Sequence, residues 1–124
     1  MSKRLYEAMF LLDSAKGGEE LPEAIRYITG LMERNGAEIE RVEKWDERKL
    51  AYKIQGIDRG IYLQVHCRIE PAEVEGLRNA INLSEEILRV LILKVDEIPA
   101  AVGTLYNTDG EEVREVPEEE TEED

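Results

Sequence analysis

His66 and Cys67 are the residues of this chain best suited to nucleophilic or metal chemistry, and each is the only one of its kind. They are adjacent, and neighbouring residues on a strand point to opposite faces, so they cannot work as a thiolate–imidazole pair. One histidine and one cysteine cannot assemble a zinc cage. Cys67 reads as a small core residue and His66 as a residue on the open face of the sheet. A single cysteine also excludes an intramolecular disulfide and fits a reducing compartment. Gly17-Gly18 lacks the lysine and hydroxyl that follow in a phosphate loop, and Gly56 and Gly60 lack dinucleotide spacing. The 29 carboxylates are spread over helix surfaces and a terminal run. Without a pocket to shift one of them, they read as solvated charge rather than as acid and base. The expectation is a protein that is not an enzyme, with no catalytic residue, metal ligand, cofactor or small-molecule substrate.

The remaining chemistry is that of charge. The net charge of −13 is unevenly distributed. Residues 96–124 hold 12 acids and one base, Arg114, whereas residues 1–95 hold 15 bases and 17 acids. An acidic segment thus follows a near-neutral domain, and the acidity says nothing against anion binding by the domain. Within 19 residues fall Arg41, Lys44, Arg48, Lys49, Lys53 and Arg59, alongside Glu43, Asp46, Glu47 and Asp58. Lys3 and Arg4 begin a neighbouring segment. A protruding hairpin with such a stripe would track phosphates. The same stripe would also suit a solvated edge whose lysines block strand-to-strand aggregation. On charge alone the two readings stand level.

The elements that position these residues follow from periodicity. Residues 5–12 are apolar at almost every position, as in a strand covered on both faces. Residues 13–18 read as a loop. Glu19-Glu20-Leu21-Pro22 opens a helix, with acids and proline in its first turn. Leu21, Ile25, Ile28 and Met32 form its buried stripe, and Asn35-Gly36 stops it. A long β arm covers 37–54, and the parity of its apolar residues breaks between Ile39 and Val42, which predicts a bulge. Residues 55–58 read as a turn and 59–69 as a strand. Ile61, Leu63, Val65, Cys67 and Ile69 share one face of it; Tyr62, Gln64, His66 and Arg68 share the other. Pro71 starts a second helix with Val74, Leu77 and Ile81 inward, and 87–95 is the last strand.

The order strand, helix, strand, strand, helix, strand predicts an α+β, ferredoxin-like split β-α-β domain over residues 1–96. Its four-stranded antiparallel sheet would carry two helices on one face. Residues 97–124 are expected to be an acidic disordered tail, since they have no apolar period and their like charges repel. The apolar run 8–12 is too short for a secretory h-region or a bilayer span, so no membrane partner is expected and the cytosol is the default.

The sheet's uncovered face offers a second surface. With Tyr6, Ala8, Phe10 and Leu12 toward the helices, Glu7, Met9 and Leu11 face out. On the last strand either Val90/Ile92 or Leu91/Leu93 must face out as well. The candidate docking set is Met9, Leu11, Tyr62, Leu91 and Leu93, an apolar patch of the kind soluble monomers rarely leave bare.

Here a resemblance becomes specific. Glu43-Lys44-Trp45 followed by Arg48-Lys49-Leu50-Ala51-Tyr52-Lys53-Ile54 resembles the arm signature of the bacterial small-subunit ribosomal protein six family. Arg4-Leu5-Tyr6-Glu7 is similar to the family's opening strand. Asn35-Gly36-Ala37 is similar to its helix-to-arm turn, and Arg89-Val90-Leu91-Ile92-Leu93-Lys94 to its last strand. The resemblance covers residues 3–98 in order. It departs at Asp46 or Glu47, where a glycine is usual, and at Lys53, which replaces a frequent proline. The resemblance implies a ribosome-associated, cytoplasmic structural protein that binds the central domain of small-subunit rRNA together with small-subunit protein eighteen. It also implies that Arg4, Arg48, Lys49 and Arg89 contact phosphates; the charge stripe adds Lys3, Lys53 and Arg59. Tyr6, Trp45 and Tyr52 are expected mainly to pack the core or the arm. An RRM-type single-strand binder shares this fold, and Arg59-Gly60-Ile61-Tyr62-Leu63-Gln64-Val65-His66 echoes its third strand. The stacking positions, however, would be the aliphatic Ile61 and Leu63, facing the core. The remaining alternative is a homodimeric protein-interaction or ligand-binding regulatory domain on the same fold.

Overall fold

Hydrophobic periodicity becomes two layers in the computed structural model, which describes residues 2–16 and 20–113. Strand β1 (Arg4–Asp13) leads into helix α1 (Leu21–Arg34), and the long β2 (Glu38–Ile54) turns into β3 (Ile57–Ile69). Helix α2 (Val74–Asn82) and β4 (Arg89–Lys94) complete the split β-α-β unit, and β5 (Thr104–Tyr106) and β6 (Glu112–Val113) follow. All pairings are antiparallel, in the order β4-β1-β3-β2-β5-β6. Among the described residues the sheet therefore has six strands rather than the expected four. Residues 104–106 and 112–113, assigned by sequence to a disordered tail, are strands of that sheet. Residues 114–124 of the same expected tail lie outside the described residues.

The core lies between the sheet and the two helices. Phe10, Leu12, Ile61, Leu63 and Ile69 of the strands meet Ile25, Ile28 and Met32 of α1 and Leu77 and Ile81 of α2, each below 2% exposed. Burying each such side chain is worth about 1.5–3 kcal/mol. An exposed ion pair is worth at most about 1 kcal/mol, so the layers are held together by this apolar contact. Ala37 and Gly36 close α1 as a Schellman cap: their N–H groups donate to the Met32 and Glu33 carbonyls at 3.0 and 3.1 Å. Gly36 sits at φ +99°, the left-handed backbone that this cap requires.

The bulge expected between Ile39 and Val42 is present, with a register shift between Ile39 and Arg41. Two further shifts, between Lys44 and Asp46 and between Lys49 and Ile54, bend the arm again. Its tip is tighter than the sequence suggested. Ile54 already pairs with Ile57, leaving Gln55 and Gly56 as a two-residue turn. Both have positive φ, 53° and 81°, which matches the twist of flanking strands but costs about 1–2 kcal/mol at the non-glycine position.

Candidate functional site

The face of the sheet away from the helices reads as a series of rows. Directly opposed residues on antiparallel strands share a face. His66 lies between Glu7 and Arg41, Gln64 between Met9 and Glu43, and Tyr62 between Leu11 and Asp46; Gly60 is opposed by Arg48 on the β2 side. On the β4 side, Leu93, Leu91 and Arg89 oppose Glu7, Met9 and Leu11. The surface thus grades from a polar end, through an apolar middle, to a basic arm.

The polar end is closed, which the sequence did not reveal. His66 is 0% and Glu43 1% exposed. One Glu43 oxygen, Oε2, accepts the backbone N–H groups of Val102 and Gly103 at 2.7 and 2.6 Å, and Oε1 accepts from Arg41 Nη2 at 3.1 Å. The chain arriving from β4 is thereby fixed to β2, where β5 begins. Gly103 is required there, because a Cβ would collide with the Lys44 carbonyl. The β5–β6 turn then rests on α1. Thr29 Oγ1 donates to the Thr108 carbonyl at 3.2 Å and Arg26 Nη1 to the Asp109 carbonyl at 2.9 Å. Among the described residues neither ring nitrogen of His66 has a hydrogen-bond partner, and Nε2 stands 3.7 Å from Glu7 Oε1. Burial first, and then the Arg41 guanidinium, hold this imidazole below its ordinary range, while Glu7 and Glu43 pull the other way. Cys67 is buried on the opposite, helix-facing side, and burial pushes its thiol up to about 11. The expectation for Cys67 as a core residue holds. His66 lies on the expected face, but wholly covered.

The apolar middle is a groove of about 490 Å³ lined by Met9, Leu11, Leu50, Tyr52, Tyr62 and Leu91, with Arg89 at its side. Four of the five expected docking residues meet here; Leu93, opposite Glu7, lies outside the groove lining. The choice left open on β4 resolves clearly. Ile92 belongs to the core and Val90 packs against it, whereas Leu91 and Leu93 are 59% and 46% exposed. Leu11 is buried at the groove floor, where Gly60 gives it and Leu50 room to approach.

The expected phosphate-contacting bases divide into three places. Arg48, Lys49, Lys53 and Arg59 gather on the distal arm, with Lys49 directly opposite Arg59. Arg89 belongs to the groove wall. Lys3 and Arg4 lie at the other end of the sheet. Arg4 pairs with Ile69, and Gly60 pairs with Asp13 nine positions further along β1, about 30 Å away. Lys3 is also held by Glu38 at 2.8 Å, a hydrogen bond that raises its pKa and lowers that of Glu38. Antiparallel pairing thus places Lys3 and Arg4 at the end of the sheet opposite the arm.

On the arm, Arg48 pairs with Asp46, whose pKa that hydrogen bond lowers, and stacks over Trp45 and Tyr62 at 5.5 and 5.8 Å. Trp45 meets Tyr62 edge to face, so it packs the arm as expected. Tyr6 is in the core, but Tyr52 is 70% exposed beside the groove, which corrects its assignment to packing. Among the described residues no group of His, Cys, Asp and Glu is placed to hold a metal ion, and no helix is long and apolar enough to cross a membrane.

Known proteins resemble this chain in sequence and fold. The profile of the family described as Ribosomal protein S6 matches residues 5–94. The chain is 33% identical over 93 residues to small ribosomal subunit protein bS6 of Campylobacter lari, covering 75% of each chain. It is 31% identical over 93 residues to that of Fusobacterium nucleatum, covering 75% of this chain and 99% of the relative. The crystal structure of 30S ribosomal protein S6 from Thermotoga maritima superposes with a TM-score of 0.66 at 26% identity, over 75% of this chain and 88% of that one.

Proposed function

The chain belongs to the Ribosomal protein S6 family, whose members are small-ribosomal-subunit constituents, and from that premise we propose that it binds the central domain of small-subunit rRNA together with small-subunit protein eighteen. Its work is positional, and its place is the cytoplasmic ribosome. The observation that supports this reading is an apolar groove beside an arm whose Lys49, Lys53 and Arg59 have no ion pair among the described residues. The groove takes the protein partner and the arm takes backbone phosphates, each contact releasing counterions. Holding one component makes the second contact effectively intramolecular, which raises avidity without any new contact.

Two variants separate the surfaces. Leu91→Asp places a charge in the groove wall and is expected to abolish joint binding with protein eighteen. Arg48→Glu with Lys49→Glu reverses the arm's charge and is expected to weaken RNA binding with or without the partner. An arm reversal that leaves assembly with rRNA unchanged overturns the assignment of the arm.

A further inference from the structure

Among the described residues the distal arm leaves part of its positive charge uncompensated, and β6 runs toward it. Asp46 is taken by Arg48, and Glu47 by Lys44 at 3.2 Å. Lys49, Lys53 and Arg59 remain, with Asp58 as the nearby acid. Among the described residues the outer edge of β2 is paired only by β5, from Val42 to Lys44. The direction of β6 matters here. Glu112 and Val113 are level with Tyr106 and Leu105, which are level with Val42 and Glu43. Two antiparallel pairings in succession make β6 run the same way as β2, toward the arm tip.

β6 therefore ends at Val113 one strand beyond β5, with its direction toward the arm tip. Residues 114–124 carry seven carboxylates and one base. Eleven residues reach about 36 Å when extended. From Glu43 to Lys49 is about 20 Å along β2, and to Lys53 about 33 Å. The run from Glu118 to Asp124 thus comes within reach of Lys49, Lys53 and Arg59.

We propose that residues 114–124 dock on the basic distal arm of the same chain and compete there with RNA phosphates. The competition rests on the RNA-binding reading above; the docking does not. A tethered segment acts at an effective concentration in the millimolar range. Weak, salt-screened contacts then suffice to exclude loosely held RNA, while RNA held jointly with a partner displaces the segment.

Docking is read without RNA. A spin label on Thr121→Cys modifies one site, because Cys67 is buried with its thiol pushed up to about 11. The expected result is selective NMR broadening of the Lys49, Lys53 and Arg59 amides at low salt. It disappears at about 0.5 M salt, where screening is strong, and in a Lys49→Glu, Lys53→Glu, Arg59→Glu chain. No broadening on the arm, or equal broadening over the α1 surface, overturns the docking. Competition is read by cutting the chain after Val113. Low-salt affinity for an unrelated single-stranded RNA is expected to rise about fivefold or more, with the two chains converging at high salt. Unchanged affinity overturns the competition. If the label reports docking but neither chain binds RNA, the docking stands and the RNA-binding reading fails.

Discussion

The two halves of β2 carry similar mixtures of acids and bases and meet opposite fates. From Glu38 to Lys44 the strand pairs with β3 and, over Val42 to Lys44, with β5 as well; it buries Val42 and Glu43 and turns the Glu43 carboxylate inward onto the backbone of Val102 and Gly103. Beyond Lys44 no described strand pairs with the outer edge, Trp45 and Tyr52 are exposed, and Lys49 and Lys53, with Arg59 of β3, project without ion pairs among the described residues. Arg41 and Glu43 are parts of the fold, whereas Lys49, Lys53 and Arg59 are free to meet a ligand. A charged residue's role here depends on what pairs its strand edge, not on its type.

The largest effect is expected where the proximal half is broken. Glu43→Ala leaves two backbone N–H groups and Arg41 without their acceptor. Removing one side of a buried charged pair costs about 3–5 kcal/mol, and the partial exposure of Arg41 places the loss toward about 3. Urea unfolding measures it, with accelerated amide exchange expected across 102–106. A loss below about 1 kcal/mol would mean that Glu43 behaves like a surface acid and the contrast is false.

Gly110→Ala attacks the same half from its far anchor. Gly110 has φ +84°, and a Cβ would collide with Pro22. About 1–3 kcal/mol of destabilisation is expected, with exchange again raised in β5 and β6 and the four-stranded unit retained.

A smaller effect depends on pH. The buried His66 imidazole has its pKa below the ordinary 6.5. As pH falls through 6.5 the unfolded chain takes up the proton first, so stability is complete above 6.5 and is lost toward the lower folded value. Between pH 7.5 and 5.5 the chain is expected to lose more stability than His66→Gln does, as followed by urea midpoints. Equal losses would place His66 in solvent.

The smallest effect on stability belongs to the distal half. Lys49→Glu with Arg59→Glu is expected to move unfolding by no more than about 0.5 kcal/mol. A larger loss would make the arm part of the fold rather than a free surface.

Much of this was legible in the sequence. The alternation of 61–69, the stripe through Leu21, Ile25, Ile28 and Met32, and the parity break at Ile39 come from periods of 2 and 3.6 that burial imposes. What was missed has no period. Strands of three and two residues cannot show one, though Asn107-Thr108-Asp109-Gly110 between Leu105-Tyr106 and Val113 is a hairpin signal. Asn107 Oδ1 does accept the Asp109 and Glu111 N–H groups. The burial of Glu43 depends on backbone groups 59 and 60 positions away, which no local pattern encodes. The separation of Lys3 and Arg4 from the arm follows from antiparallel register, which charge counting ignores.

The most direct test is the salt dependence of binding to a central-domain rRNA fragment, with and without protein eighteen, for the chain and for Lys49→Glu with Arg59→Glu. The account predicts tight binding only with the partner, and a log–log salt slope shallower by about two in the variant. Identical affinity and slope in the two chains would contradict the arm as the phosphate contact, and no binding in either mixture would leave the groove to a second copy of the chain or to a ligand.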